Sequence, residues 1–136
     1  YQNIDGQPAV IVAFARRALK GDPLQLENGG NQTRDFMYIE DAVDAYARVI
    51  ERGEKLAGSI FNIGTGIETA IRDVAKTILD LTGSTSEIVN VQGRLTDLPA
   101  LCADAGQIRD AIGWIPSTSF SDGLRRTLNW LRVVDR

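Results

Sequence analysis

The stretch TAIRDVAKTILDLTG, residues 69–83, sets Ile71, Val74, Ala75, Ile78 and Leu79 on one stripe at helical spacing and stops at Gly83. Short apolar runs of strand character flank it: GSIFNIG (58–64) before and SEIVNVQ (86–92) after. Helix-period segments that alternate with strand-type runs restrict a chain to the α/β class. The alternation continues in both directions. GQPAVIVAFARRALKG (6–21) reads as a helix, with Pro8 suited to its first turn and Gly21 to its stop. PLQLE (23–27) is a short strand, and RDFMYIED (34–41) starts extended and turns helical near Glu40. DAVDAYARVIERG (41–53) carries Val43, Ala47 and Ile50 on one face and ends at Gly53.

Toward the C-terminus, GRLTDLPALCAD (93–104) reads as a loop leading into a short extended piece, and AGQIRDAIGW (105–114) as a short helix ending at Gly113. In STSFSDGLRRTLNWLRVV (117–134), Ser119 and Asp122 resemble a capping box, with Leu124, Leu128 and Leu131 facing inward. The strands are few and irregular. The pattern predicts α/β pieces, small mixed sheets with helices, that lack a full sheet of their own.

The 136 residues make one domain, with no linker long enough to divide them. A net charge of −3 disfavours nonspecific nucleic-acid binding, which needs a broad basic surface. No run approaches a membrane span and no basic-then-apolar leader is visible, so the expected setting is cytoplasmic, away from membranes. The single cysteine, Cys102, fits a reducing compartment and reads as a buried structural thiol. The chain has no histidine, which removes Ser-His and Cys-His dyads and histidine metal sites. Among the 15 cations only Lys20, Lys55 and Lys76 are lysines. The other twelve are arginines, suited to a bidentate grip on phosphate or carboxylate.

NIGTGIETA (62–70) offers Gly64 and Gly66 at the spacing of a dinucleotide-binding turn. Its third position is Thr69, and no acid ends the following strand-type run IVNV. The simpler reading is a tight strand-to-helix turn with Thr69 as N-cap. Glu40 and Asp41 stand at a helix start, where the dipole favours acids. Arg16-Arg17 and Arg125-Arg126 read as solvated helix faces. Arg34 and Arg94 differ from these. Each follows a glycine-bearing loop and precedes an acid, Asp35 and Asp97 respectively. Two such guanidinium groups either make loop salt bridges or, brought together, clamp a pyrophosphate.

The ordered set KGDPLQL, GGNQTRDFMYIEDAVDA, FNIGTGIETAI, GRLTDLPALCAD, IGWIPSTSF and DGLRRTLNWL resembles the C-terminal half of the extended short-chain dehydrogenase/reductase family. These Rossmann-type enzymes are NAD-dependent epimerases and dehydratases of nucleotide sugars, with UDP-glucose 4-epimerases as the nearest type. The resemblance spans essentially the whole chain. It implies that Arg34 and Arg94 grip a nucleotide diphosphate and that Asp97 bonds the ribose. It lays Gln25 and Glu27 beside the base, lines the nucleotide pocket with Val10 and Ile71, and sets Leu101 near the sugar. A UDP-sugar is the implied ligand and 4-epimerisation the implied reaction. A dTDP- or UDP-sugar dehydratase, decarboxylase or reductase, or a non-catalytic nucleotide-binding or oligomerising domain, stands as the alternative.

The departures bear on chemistry. The family's aromatic residue is Glu27 here, its Gly-Asp-Gly is Asn28-Gly29-Gly30, and its helix-cap serine is Ala70. The family's Tyr-x-x-x-Lys pair is absent: Tyr38 is followed four on by Ala42, Tyr46 by Ile50, and Tyr1 by Asp5. The resemblance therefore implies that residues 1–136 form the nucleotide-sugar-binding region of a longer enzyme, incomplete without the N-terminal NAD-binding domain. NAD would be held mainly by that other half and not by this chain alone. Residues 38–66 would add a helix and a strand to the NAD-binding sheet. Lacking that sheet, the chain is expected to self-associate through its unpaired strand and apolar helix face.

Overall fold

In the computed structural model of the chain, residues 9–93 and 98–135 are described. Pro8, Arg94 and Asp97, all singled out by the sequence, lie outside them. Five helices, α1 (Val10–Lys20), α2 (Ile39–Arg52), α3 (Ile71–Thr82), α4 (Gly106–Ile112) and α5 (Phe120–Val134), stand among five short strands. The strands are β1 (Leu24–Glu27), β2 (Thr33–Asp35), β3 (Glu68–Ala70), β4 (Ile88–Val91) and β5 (Ala100–Leu101). β1 pairs in parallel with β4. β2 is the centre of a second sheet, antiparallel to β3 and parallel to β5. The small mixed sheets match the α/β expectation.

The principal core lies where α1, α3 and α5 meet β1. Val12, Ala15, Leu24, Val74, Ala75, Ile78 and Leu131 are fully excluded from solvent there. The stripe read from α3 is thus the buried one. Ser119 caps α5 as expected: its side chain accepts from the Asp122 amide, and its hydroxyl donates to Asp122 Oδ2 at 2.8 Å. Leu124, Leu128 and Leu131 of α5 are buried. A smaller cluster joins Ala45, Ile108, Ile112 and Trp114, with Met37, Val49, Phe61 and Ile63 packed against it.

Two expectations need correction here. GSIFNIG forms no strand. A ladder needs a neighbour, and among the described residues no strand lies alongside it. The side-chain alternation survives without the ladder: Phe61 and Ile63 pack on the smaller cluster, while Ile60 and Asn62 are exposed. Thr69 does not cap α3. It lies in the β3 ladder opposite Arg34, Ala70 is the N-cap, and Ala70 makes no side-chain capping bond. The first amide of α3 is satisfied instead by backbone, Ile71 N–H donating to Gln32 O at 3.0 Å.

Glu40 and Asp41 separate in role. Glu40 is exposed and pairs with Arg126 at 2.8 Å. Asp41 is only 4% exposed. Its carboxylate accepts from the Ser117 amide at 2.9 Å, the Ser117 hydroxyl at 3.1 Å and the Thr118 amide at 3.2 Å. Burial pushes this carboxyl up, but the Ser117 and Thr118 donors outweigh it and hold its pKa below the ordinary carboxylate value. Asp41 thereby ties the start of α2 to the segment that leads into α5.

Candidate functional site

In β2, adjacent side chains point to opposite faces of the strand, so Arg34 and Asp35 part company. Asp35 turns toward the NIGTG turn. Its carboxylate accepts from the Thr65 and Gly66 amides at 3.0 Å, from the Ala103 amide at 3.3 Å, and from the Thr65 hydroxyl. Burial raises the Asp35 pKa, but the Thr65 hydroxyl and the three amides outweigh it, and the net effect is a lowering. Gly64 is needed for this approach. A Cβ there would come within 2.5 Å of the Ala103 Cβ and 2.6 Å of Asp35 Oδ2. The two glycines at dinucleotide spacing therefore serve an internal carboxylate. The Thr65 and Gly66 amides are already committed and do not cradle a phosphate. As judged from the described residues, this turn does not fit the pyrophosphate of NAD.

Arg34 has no carboxylate partner among the described residues. Its Nη1 donates to Thr33 O at 2.6 Å and to Leu98 O at 2.9 Å. Two backbone carbonyls orient the group, and no described carboxylate compensates its charge. That excludes the loop salt bridge with Asp35 considered from the sequence. Other N–H donors of the guanidinium fork remain for an incoming anion.

The structure brings five of the sequence-chosen residues to one cleft. Val10, Gln25, Glu27, Arg34 and Ile71 line a cavity of about 370 Å³, together with Ala13, Phe14, Arg17, Gln32 and Val91. The alternation of β1 explains the placement of Gln25 and Glu27. Leu24 and Leu26 are buried in the core, so Gln25 and Glu27 face away from it. Leu101 lies elsewhere. It is the β5 partner of Arg34 in the sheet, and it lines a second cavity of about 350 Å³ with Arg34, Asp35, Met37, Ile63, Gly64 and Ala103. Arg34 alone among the sequence-chosen residues borders both cavities.

Arg17 was missed, and its reading as part of a solvated face is corrected. Nη1 donates to Pro23 O at 3.0 Å and Nη2 to Gln25 Oε1 at 3.3 Å, holding the guanidinium at the cleft wall. Val10, Ala13, Phe14 and Arg17 follow helical spacing, so a face drawn from Val10 would have found it. Arg16 is also partnered, with two bonds of 2.6 and 2.8 Å to Asp135. Gln32 was missed as well, and its Oε1 is buried with no hydrogen-bond partner among the described residues. Cys102 is exposed, contrary to the buried thiol expected, because it follows a two-residue strand at the sheet edge. Slight desolvation and the neighbouring Asp35 and Glu68 charges push its thiol pKa up, which opposes a role as nucleophile.

This arrangement belongs to the Rossmann-type epimerase and dehydratase class. The solved UDP-glucose 4-epimerase of Thermotoga maritima, a complex with UDP-glucose, superposes with a TM-score of 0.90 at 29% identity over 99% of this chain and 43% of that one. The Bordetella bronchiseptica enzyme WbmF, solved with NADH, matches with a TM-score of 0.79 at 35% identity over 92% of this chain and 37% of that one. The UDP-N-acetyl-alpha-D-glucosaminuronate decarboxylase of Bacillus cytotoxicus is 36% identical over 132 residues, 93% of this chain and 40% of its own length. Residues 1–127 match the family model described as GDP-mannose 4,6 dehydratase. The chain belongs to this family of NAD-dependent epimerases and dehydratases, and it aligns with the C-terminal part of the relatives. It spans about two fifths of the length of the three relatives just described.

Proposed function

We propose that this chain is the nucleotide-sugar grip of an NAD-dependent sugar-nucleotide epimerase or dehydratase. The observation that carries the reading is Arg34: a guanidinium with no carboxylate partner among the described residues, held by two carbonyls and bordering two cavities. A diphosphate held by Arg34 would leave the nucleoside in the cleft of Val10, Gln25, Glu27 and Ile71 and the sugar in the cleft of Leu101. Arg94 and Asp97 would close the grip on the phosphates and the ribose. Positioning of this kind lowers a barrier by holding the sugar carbon at the reacting geometry. NAD supplies the hydride chemistry when bound, and this chain's residues bind and orient the substrate.

Within that class the first reading is a nucleotide-sugar 4-epimerase, supported by the likeness to the Thermotoga epimerase. The likeness to the decarboxylase supports a second reading, because the grip is common to both reactions. The exposed face of α2, with Val43, Tyr46 and Ile50, and segment 58–64, which pairs with no strand among the described residues, would dock on an NAD-binding half. Alone, the chain would cover them by pairing with its own copies in a homo-oligomer.

The test is titration with nucleoside diphosphates and their sugars. Arg34→Ala is expected to lose about 1.5–3 kcal/mol of diphosphate affinity, the worth of a hydrogen bond to a charged group. Unchanged affinity in that variant would remove the clamp.

A further inference from the structure

Glu27 and Arg34 open on the same cleft, and they do not pair with each other. Among the described residues Glu27 has neither a hydrogen-bond nor an ion-pair partner, although it is half-buried. A ligand that satisfies both residues carries an anionic group for Arg34 and N–H donors for Glu27. If the ligand is a nucleoside diphosphate, as the reading above requires, the anion is the diphosphate and the donors are on the base.

We propose that this cleft selects guanine, with the Glu27 carboxylate accepting from the base N1–H and its 2-amino group. A carboxylate has two acceptor oxygens and takes two parallel N–H bonds best. On its Watson–Crick edge guanine sets two N–H donors side by side. Uracil and thymine flank their single N3–H with two carbonyl oxygens, so one carboxylate oxygen would face another oxygen. Cytosine and adenine place an unprotonated ring nitrogen next to their amino group, with the same conflict.

The rest of the cleft suits the same base. Arg17 spends two of its five N–H donors on Pro23 and Gln25, and the remaining ones are available to guanine O6. Val10, Ile71 and Val91 supply apolar walls for the ring faces. The volume of about 370 Å³ falls within the ordinary range of small-ligand sites.

The experiment is calorimetric titration of the whole chain, and of Glu27→Gln, with GDP, UDP, dTDP, CDP and ADP. GDP is expected to bind about tenfold or more tighter than UDP, as one bidentate base contact allows. Glu27→Gln is expected to abolish the preference. Its amide would accept from uracil N3–H and donate to O4, and it can make the equivalent pair of bonds with guanine N1–H and O6. Binding of UDP or dTDP at least as tight as GDP would overturn the guanine assignment and leave the nucleotide grip standing. A GDP preference unchanged in Glu27→Gln would overturn the role of Glu27. Failure of every diphosphate to bind would overturn both readings.

Discussion

The two halves of the molecule treat their apolar residues in opposite ways. Around α1, α3, α5 and β1 the apolar stripes converge, and Leu24, Val74, Ile78 and Leu131 are wholly excluded from water. Around α2 the stripe read from the sequence looks outward: Val43 is 59% exposed and Ile50 76%. The inward face of α2 is instead Asp41, Ala45 and, in part, Val49. A cavity of about 190 Å³ opens beside it, lined by Ala45, Tyr46, Val49, Phe61, Ile63 and Ile108. One half has its stabilising contacts within the chain, and the other presents a face suited to a second body. The cleft with Gln25 and Glu27 belongs to the self-contained half.

The comparison breaks first on the core. Leu128→Ala is expected to cost about 2–5 kcal/mol of stability, measured by denaturant unfolding, because a buried side chain leaves a cavity. A cost near zero would mean that the α1–α3–α5 core is no better closed than the α2 face.

Asp41 sharpens the comparison, since it joins the two halves. Asp41→Ala is expected to cost about 1–3 kcal/mol, because the Ser117 and Thr118 amides lose their acceptor. The pH dependence follows from the sign of the shift. The folded pKa of Asp41 lies below its ordinary value of 3.8, so its contribution is complete above that value and is lost as the pH falls through the depressed folded pKa. Asp35 behaves in the same direction. Acid titration of stability should therefore be shallower in the Asp41→Ala variant than in the parent chain. Equal slopes below pH 4 would remove Asp41 as the link.

The smallest expected effect is on the open face. Ile50→Lys should change unfolding stability by no more than about 0.5 kcal/mol, as for surface substitutions generally. Light scattering should show reduced self-association in the same variant. A large loss of stability would mean that Ile50 is buried by something within the chain after all.

The helices and their ends were legible because they depend on short-range spacing. The α3 stripe, the Ser119–Asp122 cap and the glycine stops at Gly21, Gly83 and Gly113 all lie within a few residues of what they govern. The alternation of PLQLE likewise places Leu24 and Leu26 inward and Gln25 and Glu27 outward. Segment 58–64 misled because its composition reports a liking for strand pairing but not the presence of a neighbour. Thr69 misled for a related reason, since a ladder with β2 claimed it before the helix began.

The sequence by itself determined the α/β class, the periodic faces, and the lack of histidine chemistry in these 136 residues. Only the tertiary structure decided which charges find partners among the described residues. Asp35 is consumed by the amides of a turn some 30 residues away and Arg34 is not. The physical reason is that one residue of strand rotates a side chain to the opposite face, and what waits on each face is brought there by distant segments.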